Sequence, residues 1–358
     1  MHAPPAVTPE RQEYYDRMAP RNLAPLWERL RDLIKKEPRP KAQPVHWRYA
    51  DVRPFLMEAG RVISAKEAER RVLVLENPGL VGQSRITGSM YAGLQLILPG
   101  EVAPAHRHSQ SALRFVIEGA DAYTAVDGEK TYMRPGDFVI TPSWTWHDHG
   151  NESDQPMVWM DGLDVPVVEL LDCQFAEGYP DETQPTTRPA GDSLARYGAG
   201  LMPVGYERKA MTSPIFNYPY ARTREALARM AATQAWDPCH GLMLRYVNPV
   251  DGGWAMPTMG TFMQLMPKGM TTMPYRSTDA LIVSPVEGTG RTTITTGDGQ
   301  QTTFAWGPRD VFVIPGWAWT THAVDGEAVL FSFSDRPVQE KLGLWREMRG
   351  NAASPPLA

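Results

Sequence analysis

The chain has 358 residues, of which 42% are hydrophobic and 22% charged, and a formal net charge of −5. Charges of both signs are interspersed without a basic field, which argues against nucleic-acid binding, and no segment approaches the roughly 18 apolar residues of a membrane span. The chain starts without a charged-then-apolar signal pattern, and Cys173 and Cys239 lack disulfide-framework or zinc-site spacing, so we expect a cytoplasmic protein with free thiols.

Helix signals come first along the chain. Thr8 has the character of an N-cap, because a proline and an acidic residue follow it in the first helical turn. A second helix after Pro25 places four apolar residues on one face: Leu26, Leu30, Leu33 and Ile34. Ser64 and Glu67 form a capping-box pattern, which predicts a further helix start.

Predicted strands surround a cluster of histidines. The apolar segments are residues 94–98, 114–117 and 137–140. Four of the eight histidines lie beside them: His106, His108, His147 and His149. Residues two apart on a strand point to one face, so His106 and His108 can hold one ion while Arg107 faces away. A third imidazole would complete a site with open positions that suits iron, zinc, copper or nickel; histidines that only satisfy hydrogen bonds in a sheet are the alternative.

The chain contains one β-unit twice. Three motifs recur: residues 95–100 at 264–269, 118–119 at 287–288, and 137–146 at 310–319. The last motif carries Trp-x-Trp in both copies, which favours barrel packing over catalysis. Short strands with closely spaced turn residues predict antiparallel barrels or sandwiches rather than an alternating α/β fold.

The second copy lacks the predicted ligands. Tyr275, Ser277 and Thr320 stand where the first copy has His106, His108 and His147, and only His322 survives, matching His149. A ligand should vanish together with its partners, whereas a structural residue need not. We therefore predict that His147, and not His149, is the third metal ligand. Gln95 is retained as Gln264, so it is either structural or orients a ligand.

A polar, proline-rich stretch at residues 180–189 predicts a connector between the copies. Thr223 is a predicted N-cap for a helix to about Gln234, and a closing helix is expected from Pro337 onward. The expected organisation follows the chain: a helical segment bracing the first barrel at 1–60, a first barrel with the metal site at 61–180, a connector with a helix at 181–240, a second barrel without ligands at 241–335, and a C-terminal helix and tail at 336–358.

The histidine motifs resemble those of the cupin superfamily. Residues 100–119 are similar to Gly-x5-His-x-His-x3,4-Glu-x6-Gly, and residues 136–151 to Gly-x5-Pro-x-Gly-x2-His-x3-Asn. Ala112 stands where the first motif has its metal-binding glutamate, so three histidines and no carboxylate are expected. Residues 91–95 and 103–115 especially resemble the gentisate 1,2-dioxygenase group, which includes salicylate and 1-hydroxy-2-naphthoate dioxygenases.

The resemblance implies an all-β bicupin, with two double-stranded β-helix (jelly-roll) barrels, flanking α-helices and assembly as a homotetramer. It implies Fe(II) on three histidines, an aromatic hydroxy-acid substrate bound through carboxylate and phenolate, and dioxygen as co-substrate. Gentisate would be cleaved between the carboxyl- and hydroxyl-bearing carbons to give maleylpyruvate. The alternatives are the same chemistry on salicylate, a substituted salicylate or 1-hydroxy-2-naphthoate, a metal-dependent isomerase, and a non-enzymatic ligand-binding bicupin.

Two arginine positions are candidates for substrate binding. Arg114 follows His108 by six residues and would share its parity on an unbroken strand, which predicts a catalytic contact with the substrate carboxylate. The resemblance suggests a pocket arginine at Arg70 or Arg71, and the sequence does not decide which one points inward. A structural or solvated arginine is the alternative at each position.

Other candidates follow from the resemblance. Tyr91 and Gly93 would shape the substrate pocket, beside Gln95. His149 would hydrogen-bond a substrate oxygen or accept a proton near neutral pH, although its survival as His322 equally favours a structural role. Asp161 would anchor the second nitrogen of a ligand histidine; a surface aspartate is the alternative.

Overall fold

The computed structural model describes residues 7–350, and the chain divides into two compact units between Arg39 and Pro40. The first unit contains α1 (Pro9–Met18), a 3-10 turn (Ala19–Arg21) and α2 (Leu26–Leu33). Thr8 caps α1, because its Oγ1 accepts a hydrogen bond from the Arg11 amide, as predicted. Among the described residues no helix has the length and apolar character needed to cross a bilayer.

The second unit, residues 40–350, contains two antiparallel β-barrels, and the first is built of two sheets. Its six-stranded sheet has the order β12 (Asn217–Tyr218), β8 (Phe138–Thr141), β5 (Ala112–Glu118), β10 (Met157–Leu163), β3 (Tyr91–Ile97), β2 (Val72–Val74). Its five-stranded sheet has the order β11 (Ala176–Gly178), β4 (Val102–His108), β9 (His147–Asn151), β6 (Ala122–Val126), β7 (Glu129–Tyr132).

The second barrel repeats this order strand for strand. Its six-stranded sheet runs β1 (Val45–Trp47), β19 (Val311–Ile314), β16 (Leu281–Glu287), β21 (Ala328–Ser334), β14 (Gly260–Met266), β13 (Leu242–Arg245). Its five-stranded sheet has the matching order β22 (Glu347–Arg349), β15 (Tyr275–Ser277), β20 (Trp319–Val324), β17 (Gly290–Thr295), β18 (Gln301–Trp306). The internal repeat of the sequence is therefore a repeat of whole barrels.

The barrels exchange strands. β1 precedes the first barrel in the chain but extends the sheet of the second, where Val45 pairs with Val313. β12 precedes the second barrel but extends the sheet of the first, where Asn217 pairs with Val139. The expected helical segment at 1–60 therefore contains a strand of the second barrel, and the expected connector at 181–240 contains a strand of the first. This is possible because strands pair with their neighbours in space, which need not be their neighbours in the chain.

Within residues 40–350, six helices flank the barrels: α3 (Tyr49–Val62), α4 (Ala65–Ala68), α5 (Val165–Leu170), α6 (Asp192–Tyr197), α7 (Tyr220–Ala231) and α8 (Arg336–Lys341). The capping box that begins at Ser64 is confirmed. The predicted N-cap at Thr223 is wrong, since α7 begins at Tyr220 after Pro219 and Thr223 lies in its first turn. Pro219, whose fixed φ suits the start of a helix, precedes α7 instead, and Asp137 of the first barrel accepts a hydrogen bond from the Tyr220 amide.

Two equivalent clasps join the barrels through α3 and α7. In the first clasp, the amide of Tyr49 donates to Asp310 of the second barrel (2.8 Å), while the Tyr49 hydroxyl and the Arg53 guanidinium donate to Glu118 of the first (each 2.8 Å). The second clasp reverses the barrels. There the Tyr220 amide donates to Asp137, and Tyr220 and Arg224 donate to Glu287.

Strands of the two large sheets are buried on both faces, because one face lines a barrel and the other meets the second barrel. On β5, Val116 belongs to the apolar interior of the first barrel, whereas Leu113, Phe115 and Ile117 belong to the core shared by both barrels. The ring of Phe115 stacks on Phe331 at 4.0 Å between centroids. Alternate residues of one strand therefore serve separate cores.

The repeated Glu-Gly motif marks the turn after β5 and after β16. Gly119 and Gly288 have φ values of 85° and 78°, in the region that favours glycine. A Cβ atom at Gly119 would lie 2.5 Å from the carbonyl oxygen of Pro156. The glycine recurs because the turn requires both its φ and its lack of a side chain.

Candidate metal centre

Three histidines converge inside the first barrel. His106 and His108 lie on β4, and His147 lies on the adjacent β9, opposite His106 in the strand register. Their ring centroids are 4.3 to 5.2 Å apart, and one nitrogen of each lies within 4.8 Å of the other two. The register of β4 shifts between Ala103 and His106, a bulge of the kind that re-aims side chains next to sites.

Backbone carbonyls fix the orientation of all three rings. The Nδ1 atoms lie next to the carbonyl oxygens of Pro104 (3.2 Å), Gln110 (2.8 Å) and Thr145 (3.0 Å) for His106, His108 and His147 respectively. A carbonyl oxygen only accepts hydrogen bonds, so Nδ1 of His108 and of His147 carries the proton, whereas Nδ1 of His106 also lies against the Arg70 guanidinium, which only donates. Nε2 of His108 and of His147 then presents a lone pair, which is the state a metal requires.

Burial keeps these imidazoles neutral. Burial and the adjacent Arg70 lower the pKa of His106 to about 3, and burial lowers the pKa of His108 to about 4. The pKa of the fully buried His147 also lies well below its ordinary value. No proton has to leave the rings before a cation binds at neutral pH.

The donor set contains no carboxylate. The group of potential ligands consists of His106, His108 and His147, and Ala112 is a buried strand residue at the start of β5. Three neutral nitrogens leave a divalent cation with its full charge and with open coordination positions. The residues fit a metal that binds an anionic substrate directly.

The two candidate arginines at positions 70 and 71 have different environments. The Arg70 guanidinium donates to the Pro104 carbonyl oxygen (2.7 Å) and lies against Nδ1 of His106. Arg71 is buried in a two-fold ion pair with Glu101 (2.6 and 2.8 Å). Arg70 is therefore the arginine beside the histidines, and Arg71 has a structural partner.

Arg114 reaches the site by a route that strand parity did not anticipate. The strand is broken between His108 and Ala112, so Arg114 lies on β5 in the opposite sheet and points across the barrel interior. Its Nη1 donates to Thr141 Oγ1 (2.5 Å) and one Nη2 hydrogen bond goes to His149 Nε2 (3.0 Å). Burial lowers its pKa to about 10, which leaves the guanidinium charged at neutral pH.

Asp161 does not touch a ligand histidine, contrary to its predicted role. It is paired with Arg114 across the strands, with 3.6 Å between Oδ1 and Nε, and it accepts a hydrogen bond from Trp159 Nε1 (2.9 Å). Burial raises its pKa to about 6 although Arg114 acts in the opposite direction. The carboxylate positions the arginine, while the backbone carbonyls orient the histidines.

His149 is buried behind the metal ligands. Its ring lies 5.9 Å from that of His147, and Nδ1 lies 3.0 Å from Thr124 Oγ1. Arg114 can only donate, so Nε2 of His149 accepts and its proton is on Nδ1. Burial and Arg114 hold its pKa well below the ordinary value, which favours the predicted hydrogen-bonding role over proton uptake near neutral pH.

Tyr91, Gly93 and Gln95 alternate along β3. Tyr91 is half-buried, and burial together with the charge of Asp161 raises its pKa. A Cβ atom at Gly93 would lie 2.4 Å from Val72 Cγ1 and 3.1 Å from the Tyr91 hydroxyl, so glycine leaves room for that ring. The buried Gln95 side chain makes no hydrogen bond to residues 7–350.

The repeated tryptophans hold an arginine in place. The Arg107 guanidinium, on the outward face between the two ligand histidines, lies 4.5 Å from the ring centroids of both Trp144 and Trp146. In the second barrel Arg276 lies in the same way over Trp317 and Trp319. The predicted packing role is thus a cation–π sandwich in each barrel.

Sequence reasoning missed three neighbours of the site: Thr124, Thr141 and Trp159. Thr124 is hydrogen-bonded to His149, and Thr141 accepts a hydrogen bond from Arg114. Trp159 donates a hydrogen bond to Asp161. Trp159 is two residues from Asp161, so strand parity offered a signal for it. The threonines had none, because each meets its partner only across the sheet.

Known proteins match the chain over nearly its whole length. Residues 93–165 match the Cupin domain family. Gentisate 1,2 dioxygenase 1 of Aquipseudomonas alcaligenes is 59% identical over 96% of this chain and 98% of that protein. 5-aminosalicylate 1,2-dioxygenase of a Comamonas species is 37% identical over 99% and 94%. A crystal structure of salicylate 1,2-dioxygenase from Pseudoaminobacter salicylatoxidans, adducts with gentisate, superposes with a TM-score of 0.89, 34% identity, and coverage of 97% and 95%.

Proposed function

Because the chain belongs to the family of gentisate 1,2-dioxygenases and related ring-cleaving dioxygenases, we propose that it is an Fe(II) enzyme that cleaves gentisate with dioxygen. The observation that carries the proposal is the cluster of His106, His108 and His147 beside the buried Arg114 and the half-buried Arg70. Both oxygen atoms of dioxygen enter the product, maleylpyruvate, as the bond between the carboxyl- and hydroxyl-bearing carbons breaks.

His106, His108 and His147 would hold Fe(II), which would supply electron transfer between the aromatic ring and dioxygen. The protein residues around it bind and orient the substrate, which places the two reactants side by side.

Arg70 and Arg114 recognise the substrate carboxylate in this proposal. Burial lowers the pKa of each to about 10, so both remain cationic at neutral pH. Nε of Arg114 makes no hydrogen bond to the described part of the chain, and its nearest carboxylate oxygen, on Asp161, is 3.6 Å away. A buried guanidinium with unused donors favours an anionic ligand over a neutral one.

His149 acts as a neutral hydrogen-bond acceptor. Its Nε2 now accepts from Arg114, and a carboxylate that draws the guanidinium away would leave Nε2 for a substrate hydroxyl. Thr124 keeps the proton on Nδ1, so the imidazole presents its lone pair toward the pocket. His149 thereby positions the hydroxylated edge of the ring.

Gentisate is preferred over the other salicylate-type substrates for two reasons. The gentisate 1,2 dioxygenase of Aquipseudomonas alcaligenes shares 59% identity with this chain. The Tyr91 hydroxyl beside Gly93 offers a polar contact suited to a second ring hydroxyl. Salicylate, substituted salicylates and 1-hydroxy-2-naphthoate are the alternative substrates.

The test is anaerobic reconstitution with Fe(II), followed by gentisate, air and detection of the ring-opened product. Dioxygen uptake is then compared among gentisate, salicylate and 1-hydroxy-2-naphthoate. We expect the fastest uptake with gentisate and none after removal of iron. If the enzyme consumed no dioxygen with gentisate but turned over another of these compounds, that compound would be the substrate instead. Equal activity of the zinc-loaded protein would refute the iron chemistry.

The proposal includes a homotetramer located in the cytoplasm. Light scattering of the iron-loaded protein is expected to give about four times the chain mass of 40.0 kDa. Cell fractionation of the native host is expected to place the activity with cytoplasmic markers.

A further inference from the structure

The second barrel contains a cavity of about 320 Å³, at the lower end of the roughly 300–1,000 Å³ typical of small-molecule sites. Its walls combine aromatic and apolar side chains with buried polar ones, among them Phe262, Gln264, Tyr275, Val283, Thr320 and His322. Tyr275, Ser277 and Thr320 hold the places of the three ligands, and no second group of metal-ligating residues occurs among residues 7–350. The cavity is a polar pocket without the donors for a metal.

His322 presents a hydrogen-bond donor to this cavity. The indole nitrogen of Trp306 donates to Thr292 Oγ1 (2.8 Å). The fully buried Thr292 hydroxyl has no acceptor among the described residues other than Nδ1 of His322 (2.8 Å), so it donates there. The proton of the neutral imidazole is therefore on Nε2. Nε2 has no hydrogen-bond partner within the described chain, although the residue is 9% exposed.

Gln264 presents an acceptor next to this donor. Its Nε2 donates to the carbonyl oxygen of His240 (2.9 Å), which fixes the orientation of the amide. Gln264 lines the cavity, and its Oε1 makes no hydrogen bond to residues 7–350. A donor and an acceptor in an aromatic-walled pocket match a ligand that carries both an acceptor oxygen and a hydroxyl group.

A cation without a carboxylate partner lies on the cavity wall. Arg245 is exposed, donates to the Gly252 carbonyl oxygen (3.2 Å) and lies 5.1 Å from the Trp254 ring centroid. Within the described residues it forms no ion pair, whereas Arg336 on the same wall is paired with Glu340. The carboxylates on the wall, of Asp279 and Glu347, form no ion pair with Arg245, so its guanidinium favours an anionic group at its end of the cavity.

We propose that the second barrel is a metal-free binding site for a small aromatic hydroxy acid. Its ring lies between the aromatic walls, its hydroxyl and an acceptor oxygen meet Gln264 and His322, and its carboxylate meets Arg245. The site goes beyond the proposed function, because it neither requires the metal nor takes part in ring cleavage.

The test counts ligands on the iron-loaded enzyme under anaerobic conditions, where no turnover occurs. Calorimetric titration with gentisate is expected to give two molecules per chain. His322→Phe, which keeps a ring but removes the donor, and Arg245→Met are each expected to weaken one of the two binding events about tenfold. Arg245 is exposed, so its variant tests the proposal even if His322→Phe does not fold.

Arg291→Met is the matched control, because Arg291 is an exposed arginine of the same barrel outside the cavity wall; both binding events should remain. 2,5-Dihydroxybenzyl alcohol, which lacks the carboxylate, is expected to fail at the second site. Binding of gentisate up to millimolar concentration in which no event is weakened by His322→Phe or by Arg245→Met overturns the proposal, whether one or two equivalents bind. Equal affinity for the alcohol overturns the assignment to an acid. Failure of the proposed function is distinguishable, because no product would form in air while the binding event that Arg245→Met weakens would remain.

Discussion

The two barrels share a strand order, a strand exchange and a tryptophan–arginine sandwich, yet their interiors differ at the positions of the three histidine ligands and of the buried ion pair. Where the first barrel has the cross-strand pair Arg114–Asp161, the second has Val283–Ser332 at the equivalent positions. It also places Tyr275 opposite Thr320 where His106 faces His147. Features that the fold needs occur twice, whereas features that serve the chemistry occur once.

The retained histidine sharpens this comparison. His149 and His322 each meet a threonine through Nδ1, at 3.0 and 2.8 Å. Arg114 makes Nε2 of His149 an acceptor, whereas Trp306 acts through Thr292 to make Nε2 of His322 a donor. One residue type at one position thus offers opposite hydrogen-bonding character, because its neighbours place the proton.

The largest effect is expected from the metal ligands. His147→Ala removes one of three nitrogens, and we expect loss of iron and at least a thousandfold lower kcat/KM. His322→Ala in the second barrel should leave the iron content nearly intact. Metal analysis and dioxygen uptake measure both variants, and equal iron losses would refute the division of roles between the barrels.

Converting the buried ion pair to its second-barrel counterpart separates stability from chemistry. Arg114→Val alone leaves Asp161 buried without its cation, and we expect a loss of about 3 kcal/mol in the free energy of unfolding. Arg114→Val with Asp161→Ser should regain most of this loss while activity stays absent. Urea unfolding at pH 7.5 measures the difference, and a double variant as unstable as the single one would contradict the compensation.

Acid should destabilise the second barrel without any metal. Burial lowers the pKa of His322 to about 4 from 6.5, and burial likewise lowers that of the neighbouring His240 to about 4. The unfolded chain binds more protons between these values, so stability falls as the pH drops from about 6.5 to about 4. For His322 we expect a loss of about 2 kcal/mol between pH 7.5 and 5.0.

The His322→Asn variant isolates this contribution, because its amide oxygen can accept from Thr292 but does not titrate. Unfolding of the metal-free variant should depend less steeply on pH than that of the metal-free parent protein. Identical slopes would show that His322 does not contribute to the acid sensitivity.

The smallest effects are expected at the two clasps. Tyr49→Phe and Tyr220→Phe each remove one hydrogen bond to a carboxylate, of Glu118 and Glu287 respectively. Each should lower the free energy of unfolding by about 1.5 kcal/mol, and the double variant by the sum. Thermal and urea unfolding would show whether the clasps are equivalent; a large loss at only one would break the symmetry between the barrels.

Part of the site was predictable because it follows local rules. Spacing and strand parity placed His106 and His108 on one face, and the missing ligands of the second copy singled out His147. The confirmed all-β bicupin fold followed from the repeat and the family motifs. The two clasps could also have been predicted, since the pattern Tyr-Ala-x-x-Arg-x-x-Leu occurs at 49–56 and again at 220–227. These segments lie outside the three motifs that revealed the internal repeat.

The sequence by itself determined the repeat, the barrel type and the three imidazoles, because each depends on residues close together in the chain or on motifs present twice. Only the tertiary structure decided that β1 and β12 are exchanged, that Arg70 rather than Arg71 meets the histidines, and that Asp161 holds Arg114. These outcomes depend on partners that meet across sheets and barrels. No local pattern encodes such pairings, since the same alternation of side chains fits any neighbour that completes the core and satisfies the buried charge.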